Sequence, residues 1–342
     1  MNNNEISKLY QVLAQVYGGE NPLYKEAENR LIDFQQRINS IPAIGNSPNL
    51  NFIEFPKQYS SNTPIMDSFG KKVVGGGYFL VINGKGCVID PGHHFIQNFF
   101  SLPRSINDIC AIFVTHFHDD HYADLAALLS LLYRRSKIDK DISIDIFLDN
   151  TTYTMFKPIL RSADYFSYGH NPVRIDKKYH LKNDEDIIIE CLPTCHNVFG
   201  KTNSGVGYHF YREEDDFSLI ITGDTAWTDE INKFYYNKFH NSKSYKVLIA
   251  HVSCIFKDEG AFVGAFNSHL KPNWHPNHLA IGGLCKCIEA CKPDRLIISE
   301  IGEELEGIID KIAEIISQTY NIENVSIARF GKRIILNKAH KK

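Results

Sequence analysis

The segment Ala111-Ile-Phe-Val-Thr-His-Phe-His-Asp-Asp-His121 joins an apolar run to five side chains of metal-ligand type. Residues 111–115 have the continuous hydrophobic pattern of a buried strand. Leucines then recur at helical spacing and predict a helix over 122–133, with Asp119 or Asp120 suited to cap its start. The histidines and aspartates therefore lie on a strand-to-helix connection. Because imidazole and carboxylate groups bind zinc and related ions, this connection is a candidate metal site.

The composition of the whole chain indicates a globular protein with little net charge. Its 342 residues are enough for one large domain or two small ones, and the apolar share of 43% can form a sizeable core. A net charge of −3 excludes a global basic field that would recruit nucleic acid, although a local basic groove stays compatible with it. Eight scattered cysteines, no secretory pattern and no apolar run of membrane-spanning length predict free thiols, no membrane partner and a cytoplasmic location.

A helical pattern precedes the main part of the chain. Apolar residues within 6–16 and within 24–38 recur at helical spacing, and glycines and prolines interrupt each run. We predict a helical extension, which forms a hairpin, at 1–48, a main domain at 49–338 and a tail at 339–342. The extension is interpreted as a packed accessory element. A dimerisation or lid element is the alternative, so a homodimer stays open.

From about Asn51 onward the pattern becomes typical of strands with interspersed helices. Residues 78–82 and 87–90 form a predicted hairpin around an Asn83-Gly84 turn. Further strands are predicted at 142–148, 186–192, 217–223, 246–250 and 294–299. Further helices are predicted at 151–162 and 305–316, and a closing hairpin at 325–330 and 333–336.

Four polar residues share one position relative to these strands. His116, His196, Asp224 and Glu300 each lie just beyond the end of a predicted strand. Strand ends of one sheet can meet at one rim, where loops present side chains on a rigid frame. We therefore expect the four side chains to converge.

The cluster His116-x-His118-x-Asp120-His121 resembles the signature of the metallo-β-lactamase superfamily. Further motifs of that family follow in its order along the chain, at Asp90, His196, Asp224 and the strand end at Glu300. The resemblance covers nearly all of the chain beyond the helical extension. It implies a mixed α/β (α+β) fold, namely a four-layer αββα sandwich with metals at one edge. This sandwich would form a hydrolase domain.

Within that superfamily, the chain is similar to the ribonuclease Z branch. The segments 196–198, 207–210 and 220–225 carry this likeness. The branch groups tRNA 3′-processing nucleases with phosphodiesterases, including enzymes that open cyclic nucleotides. In the branch a histidine precedes the last ligand by 22 residues at the start of a helix, and His278 stands 22 residues before Glu300 here. A helix start also attracts anions such as phosphate.

The resemblance implies a centre with two divalent metal ions, with zinc favoured over manganese or iron. The residues implied to hold the first metal are His116, His118 and His196. The residues implied to hold the second are Asp120, His121 and Glu300, with Asp224 bridging both. Asp90 is implied to support the ligands from behind. The candidate catalytic residues are Asp120 and His278, with His278 as the proton donor.

Several positions depart from the family pattern. Glu300 replaces the usual histidine, which makes the site more anionic and tilts it toward harder ions such as manganese. Asp119 replaces a common glycine, and Val252 follows His251 where the branch often has glutamate. Asp224 follows His196 by only 28 positions, which leaves no room for the tRNA-gripping arm of the bacterial processing enzymes. We therefore expect a substrate other than tRNA.

These observations rank three functions. The leading hypothesis is a metal-dependent phosphodiesterase for a small-molecule or nucleotide phosphodiester, such as a cyclic nucleotide, or for a short nucleic acid. A lactone, thioester or β-lactam hydrolase of the same fold is the alternative enzyme, which needs the metals but no strong leaving-group acid at His278. A non-catalytic metal-binding protein is the third, motivated by Glu300.

Two other features carry less weight. Cys285-x-Cys287-x-x-x-Cys291 is interpreted as helix packing rather than a zinc site, because Cys285 and Cys287 diverge on a helix. The segment 256–276 lies between two motif-bearing segments and contains aromatic residues and histidines. A functional covering loop and an ordinary packed insertion are equal alternatives for it.

Overall fold

We describe the chain from a computed structural model. The described residues are 25–26, 28–33, 36, 51–56, 76–136, 144–161, 172–175, 177–182, 184–198, 201–202, 204–212, 217–255, 278–302 and 305–337. Contacts along the chain divide it into two compact units, Met1–Ala43 and Ile44–Lys342. The described residues of the first unit are helical. The first predicted helix, the segment 256–276 and the tail lie outside the described residues, so the predicted domain boundaries stay a prediction.

The second unit contains two main β-sheets. Its strands are β1 (Phe52–Glu54), β2 (Tyr78–Ile82), β3 (Lys85–Ile89), β4 (Ile109–Val114), β5 (Asp145–Leu148), β6 (Lys178–Leu181), β7 (Asp184–Pro193), β8 (Asn197–Val198), β9 (Lys201–Thr202), β10 (Val206–Tyr211), β11 (Phe217–Ile221), β12 (Tyr245–Cys254), β13 (Leu279–Ala280), β14 (Arg295–Ser299), β15 (Asn324–Ile327) and β16 (Arg333–Ile335). The first sheet has the order β16-β1-β2-β3-β4-β5, and the second has the order β15-β14-β12-β11-β10-β7-β6 with β13 beside β12. Strands β8 and β9 form a separate short hairpin.

Helices cover the outer face of each sheet. They are α1 (Phe95–Ser101), α2 (Asp119–Tyr122), α3 (Leu125–Ser136), α4 (Asn150–Arg161), α5 (Asp229–Phe239), α6 (Ile281–Cys291) and α7 (Ile309–Tyr320). Apolar residues of α1, α3 and α4 pack on the first sheet, and those of α5, α6 and α7 pack on the second. A third apolar layer lies between the sheets, where Phe113 and Tyr208 meet with ring centroids 5.2 Å apart. The expected four-layer αββα sandwich is confirmed.

The first hairpin forms as predicted. Strands β2 and β3 pair antiparallel, with Tyr78 opposite Ile89. Asn83 and Gly84 both have positive φ, at 52° and 71°, which is the backbone of the tight turn that Asn-Gly favours. This turn fixes the register, and the register sets Asp90 directly after the end of β3.

The predicted closing hairpin is wrong. Strand β15 runs parallel to β14 in the second sheet, whereas β16 pairs antiparallel with β1 in the first. Between them the chain crosses from one sheet to the other, and Gly331, with φ of 73°, donates its N–H to Phe55 O. Two short alternating strands around a glycine fit a hairpin and a crossover equally well, because both need the same polarity pattern.

Three predicted boundaries also change. The helix predicted over 122–133 is two helices, α2 and α3, and the residue before α2 is His118, whose side chain makes no capping bond. Strand β12 does not end at residue 250 but continues to Cys254, so His251 lies within it. Helix α6 begins at Ile281, with Ala280 rather than His278 before it. These shifts matter because His118, His251 and His278 are all polar groups near the candidate site.

The remaining global observations concern cysteines and membranes. All eight cysteines are free thiols, in agreement with the sequence analysis. On α6, Cys287 and Cys291 are buried among apolar residues, as expected for helix packing. No helix in the described part of the chain has the length and apolarity needed to cross a bilayer.

Candidate metal centre

The candidate ligands follow strand ends of both sheets. In the first sheet, Asp90 comes directly after β3, and the segment 115–121 comes directly after β4. In the second sheet, His196 and Asp224 follow β7 and β11, and Glu300 comes directly after β14. Two of these residues have an unusual backbone conformation. Asp90 and Glu300 both have positive φ, at 51° and 53°, which is rare for residues other than glycine. Such positions are common at functional sites.

Close packing of two turns brings the first-sheet ligands together. A Cβ on Gly92 would lie 1.7 Å from Asp120 O, so only glycine lets the turn after β3 approach the turn that begins α2. The close approach places Asp90 in contact with His121. The glycine of Asp90-Pro-Gly92 is therefore needed for the geometry of the site.

Three histidine nitrogens converge from these two sheets. His118 Nδ1 lies 2.9 Å from His116 Nε2 and 3.1 Å from His196 Nε2. His116 and His196 are buried, and His118 is partly exposed. Ligand atoms bound tetrahedrally to zinc at 2.0–2.1 Å are about 3.4 Å apart. The three nitrogens therefore have a spacing close to that of the ligands of one ion.

A second group combines His116 with His121 and Asp224. Asp224 Oδ2 lies 3.5 Å from His121 Nε2 and 3.9 Å from His116 Nε2. Asp120 Oδ2 lies 3.6 Å from the same nitrogen of His121. This nitrogen is fully buried and has no hydrogen-bond partner of good geometry among the described residues. A buried ring nitrogen without a hydrogen bond, close to carboxylates, is the arrangement expected of a metal ligand in a metal-free structure.

His278 belongs to a third group, with His196 and Asp224. Its Nε2 lies 3.3 Å from Asp224 Oδ2, and its ring centroid lies 5.1 Å from that of His196. The side chain is 28% exposed, whereas that of Asp224 is 4% exposed. His278 precedes the two-residue strand β13 and does not cap α6, because Ala280 occupies that position. It therefore borders both the buried ligands and solvent.

Asp90 anchors the ligands of the first sheet. Its Oδ2 accepts from His121 Nδ1 at 2.9 Å and from the Thr115 hydroxyl at 2.8 Å, and its Oδ1 accepts from Thr115 N at 2.6 Å. The Thr115 hydroxyl in turn lies 3.0 Å from His116 Nδ1. Both histidines are thus held at Nδ1, which leaves Nε2 of each as the free ligand atom. These hydrogen bonds agree with the supporting role predicted for Asp90.

Two residues without a predicted role complete the network. His251 Nδ1 lies 2.9 Å from Asp224 Oδ1, and His251 Nε2 lies 2.9 Å from the Tyr78 hydroxyl. His251 follows the predicted strand 246–250, so its strand-end position was a signal that could have found it. Tyr78 carries no such signal, because it lies at the start of an apolar strand.

Asp120 and Glu300 differ from the other predicted ligands in their distance from the remaining ligand atoms. The three groups of mutually close ligand atoms found in the described residues contain neither of them. Glu300 is nonetheless buried at 1% exposure at the end of β14, and its charge acts on Tyr78, raising the pKa of that hydroxyl after the larger effect of burial. Both roles as ligands of the second metal stay predictions.

Burial and charge separate the pKa values of the histidines. Burial lowers the pKa of His116 well below its usual value and lowers the pKa of His118. Burial also lowers the pKa of His121, but three nearby carboxylates outweigh it and raise the pKa well above its usual value. Neutral imidazole is the form that binds a metal, so the lowered pKa values of His116 and His118 favour metal binding and the raised pKa of His121 opposes it.

The residues fit a divalent metal by chemistry and by spacing. The donor set is imidazole and carboxylate, which suits zinc and neighbouring ions. His118 Nδ1 lies within 3.1 Å of a ring nitrogen of His116 and of His196, and the buried His121 Nε2 is an orphaned atom. His93, a partly exposed histidine in the turn after β3, lies 3.3 Å from the exposed Asp119 and is not in these groups.

Comparison with known families agrees with this arrangement. The family described as Beta-lactamase superfamily domain matches residues 87–299. No protein in a search of curated proteins matches the chain.

Solved structures with a similar fold cover most of the chain. The metallo-β-lactamase fold protein YhfI from Bacillus subtilis has a TM-score of 0.58 at 14% identity, with coverage of 83% of this chain and 99% of that one. The short form of human tRNase Z has a TM-score of 0.56 at 14% identity, with coverage of 84% and 100%. A diphosphatase from the PhnP family has a TM-score of 0.52 at 13% identity, with coverage of 83% and 96%. At these identities the likeness establishes the fold alone.

Proposed function

The chain belongs to the beta-lactamase superfamily as a hydrolase of the metallo-β-lactamase fold, and from this premise we propose that it is a metal-dependent phosphodiesterase for a small phosphodiester. The observation that carries the proposal is the position of His278. Its Nε2 lies 3.3 Å from Asp224 Oδ2, and its ring borders both the buried ligands and solvent. A proton carrier at that border suits a reaction that must expel an alkoxide.

The proposal requires two divalent metal ions. When bound, they supply Lewis-acid activation of the phosphoryl group and an acidified water. His116, His118 and His196 would hold one ion, and His121 with Asp224 would hold the other. Asp120 and Glu300 are proposed to complete the second set. Zinc is the first choice, and the extra carboxylate of Glu300 keeps manganese and iron as alternatives.

His278 is proposed to hold a proton and deliver it to the leaving oxygen. Its Nε2 lies 3.3 Å from Asp224 Oδ2, so the ring stands beside the carboxylate that is proposed to hold the second metal. Phosphodiester cleavage expels an alkoxide, which is a poor leaving group without a proton. A lactone or β-lactam hydrolase would need such a residue less, so its presence at the rim favours the phosphodiester.

The interval between His196 and Asp224 supports a small substrate. Strands β8, β9, β10 and β11 lie within it, two of them as a short hairpin and two as part of the second sheet. Large nucleic-acid substrates need extended phosphate contacts, and the net charge of −3 offers no overall attraction for them. We propose a cyclic nucleotide or another small phosphodiester rather than tRNA. The free thiols fit a reducing compartment, and we propose the cytoplasm.

The test compares two leaving groups in one variant. His278→Ala should slow a cyclic nucleotide by about 10² to 10⁴-fold, because an alkoxide gains from general acid catalysis. It should slow bis-nitrophenyl phosphate far less, because nitrophenolate leaves without a proton. The measurement is kcat for both substrates, with zinc content determined in the same preparations.

His93→Ala is the matched control, since His93 is also a partly exposed rim histidine but lies outside the ligand groups. It should leave both rates near those of the wild type. Equal slowing of both substrates by His278→Ala would remove His278 as the acid. Loss of zinc in that variant would make it a ligand instead. Activity on lactones but on no phosphodiester would replace the proposal by the alternative hydrolase.

A further inference from the structure

The two carboxylate oxygens of Asp224 have different surroundings. Oδ2 faces the ring nitrogens of the ligand groups, at 3.3 Å from His278, 3.5 Å from His121 and 3.9 Å from His116. Oδ1 lies 2.9 Å from His251 Nδ1, at hydrogen-bond distance. One oxygen is therefore tied to the protein, and the other is directed at the place where metals would bind.

His251 is itself held on two sides. It lies in β12, and its backbone N–H donates to the Thr222 hydroxyl at 3.1 Å. Its Nε2 lies 2.9 Å from the hydroxyl of Tyr78, whose ring meets the imidazole edge-on. Both side chains are almost fully buried, with 2% exposure for His251 and none for Tyr78. The imidazole has little freedom to turn.

These contacts select one tautomer of His251. A carboxylate only accepts, so Nδ1 carries the proton that it donates to Asp224. In the neutral ring Nε2 is then an acceptor, and the Tyr78 hydroxyl donates to it. Burial, with the nearby carboxylates of Asp90, Glu300 and Asp224, raises the pKa of Tyr78 well above its usual value, which keeps this hydroxyl protonated.

The chain of contacts links the two sheets. Tyr78 comes from β2 in the first sheet and His251 from β12 in the second, 173 residues later in sequence. On the first sheet, Asp90 holds His121 in a comparable way. In the first sheet Asp90 holds a ligand of that sheet, and in the second sheet His251 holds Asp224. Tyr78 connects His251 to the first sheet.

We propose that His251 is a positioning residue that fixes Asp224 so that Oδ2 alone is presented to the metals, and that Tyr78 holds His251 in the required tautomer. This inference rests on the proposed metal centre. Valine follows His251 at position 252, where the branch often has glutamate. Partners of this kind, behind the direct ligands, commonly affect metal affinity 10 to 100-fold.

The test is zinc affinity of the full chain, measured by competition with a chromophoric chelator. His251→Phe keeps an aromatic ring and removes both nitrogens, so it should weaken zinc binding by about 10 to 100-fold. His251→Asn restores an N–H near the position of Nδ1 and should recover most of that affinity. Tyr78→Phe removes one oxygen and should cause a smaller loss than His251→Phe.

His209→Phe provides the matched control. His209 is another buried histidine of the second sheet beside a carboxylate, with Nδ1 at 3.6 Å from Glu190. Its replacement should lower stability but leave zinc affinity unchanged, because Glu190 faces no ligand nitrogen. The comparison separates positioning of Asp224 from a general loss of packing.

The outcomes are distinguishable. Zinc affinity of folded His251→Phe equal to that of the wild type would overturn the inference and leave the proposed function standing. If His251→Phe does not fold, unchanged affinity in Tyr78→Phe, or no difference between Tyr78→Phe and His209→Phe, overturns it. A wild type that binds no zinc would refute the metal centre itself, and with it the inference.

Discussion

Two clusters of histidine and carboxylate involve the second sheet, and they are built in opposite ways. In the metal centre, ring nitrogens approach one another at 2.9 and 3.1 Å. The other cluster, here called the outer-face cluster, consists of Glu190, His209, Ser218 and Lys238, with Tyr211 at its edge. There the Ser218 hydroxyl lies 2.8 Å from His209 Nε2, and Tyr211 donates to Glu190 at 3.0 Å.

The difference lies in where the positive charge comes from. In the outer-face cluster, Lys238 pairs directly with Glu190. The contact with His209, opposed by burial and aided by Lys238 and Tyr211, lowers the pKa of Glu190 to about 2. The described ion pairs of the metal centre involve only histidine as the basic partner. The outer-face cluster contains its own lysine, whereas the carboxylates of the metal centre face histidines, which are groups that can also bind a divalent ion.

The same comparison separates a catalytic pattern from a structural one. Ser218, His209 and Glu190 lie next to one another in space like the serine, histidine and acid of a hydrolase triad. By distance alone they would be a candidate catalytic triad. However, Ser218 is buried at 3% exposure within β11, where the backbone groups are engaged in the sheet. A serine nucleophile needs access and donors for an oxyanion. The cluster is therefore a structural element.

The largest effect that would sharpen this comparison concerns Lys238. Lys238→Met leaves Glu190 partly buried without its main cation, which should lower the free energy of unfolding by about 1–3 kcal/mol. Zinc content should stay at the wild-type value, because the cluster does not contribute ligands. Urea unfolding and elemental analysis of the same preparation check both points. Loss of zinc from Lys238→Met would break the distinction between the two regions.

A smaller effect is expected at Glu300, which borders the metal centre at the end of β14. If it is a ligand of the second metal, Glu300→Ala should lower metal occupancy or activity by about 10-fold, with the fold intact. Glu300→His should keep part of the activity and shift the metal preference toward zinc. Unchanged metal content and kinetics in Glu300→Ala would show that the last ligand lies elsewhere.

The smallest effect is a pH dependence of the outer-face cluster. The pKa of Glu190 is depressed from 4.5 to about 2 in the folded state. A depressed acid stabilises the folded state above its unfolded pKa, and this contribution is lost as pH falls from 4.5 toward 2. Glu190→Gln should therefore show a shallower fall of unfolding free energy in that range. Urea unfolding at stepwise lower pH measures it, and identical slopes for both proteins would contradict the ion-pair account.

Local sequence signals were enough for the parts of the fold that depend on local chemistry. The Asn83-Gly84 turn fixed the first hairpin, because few other dipeptides adopt its backbone. The ligand cluster after β4 was visible because strand, turn and helix signals meet there. The fold of the whole domain came from the resemblance of ordered motifs and not from these local patterns.

The failures involve contacts between distant segments. No periodicity distinguishes β15 and β16 as members of different sheets, since the choice depends on which edges remain open after the rest has folded. The contact between Tyr78 and His251 joins residues 173 positions apart, so no local pattern predicts it, although the strand-end position of His251 was a signal for that residue alone. His278 illustrates the intermediate case. Its spacing from Glu300 and the resemblance implied a position at the start of a helix, but that helix begins three residues later, at Ile281.

The most direct test of the account is the metal stoichiometry of the purified chain. After reconstitution with zinc and removal of the excess, elemental analysis should give two ions per chain for the wild type and for His209→Phe. His116→Ala should hold fewer, because His116 belongs to two of the ligand groups. One ion per chain or none in the wild type, or full loading of His116→Ala, would contradict a binuclear centre at these strand ends.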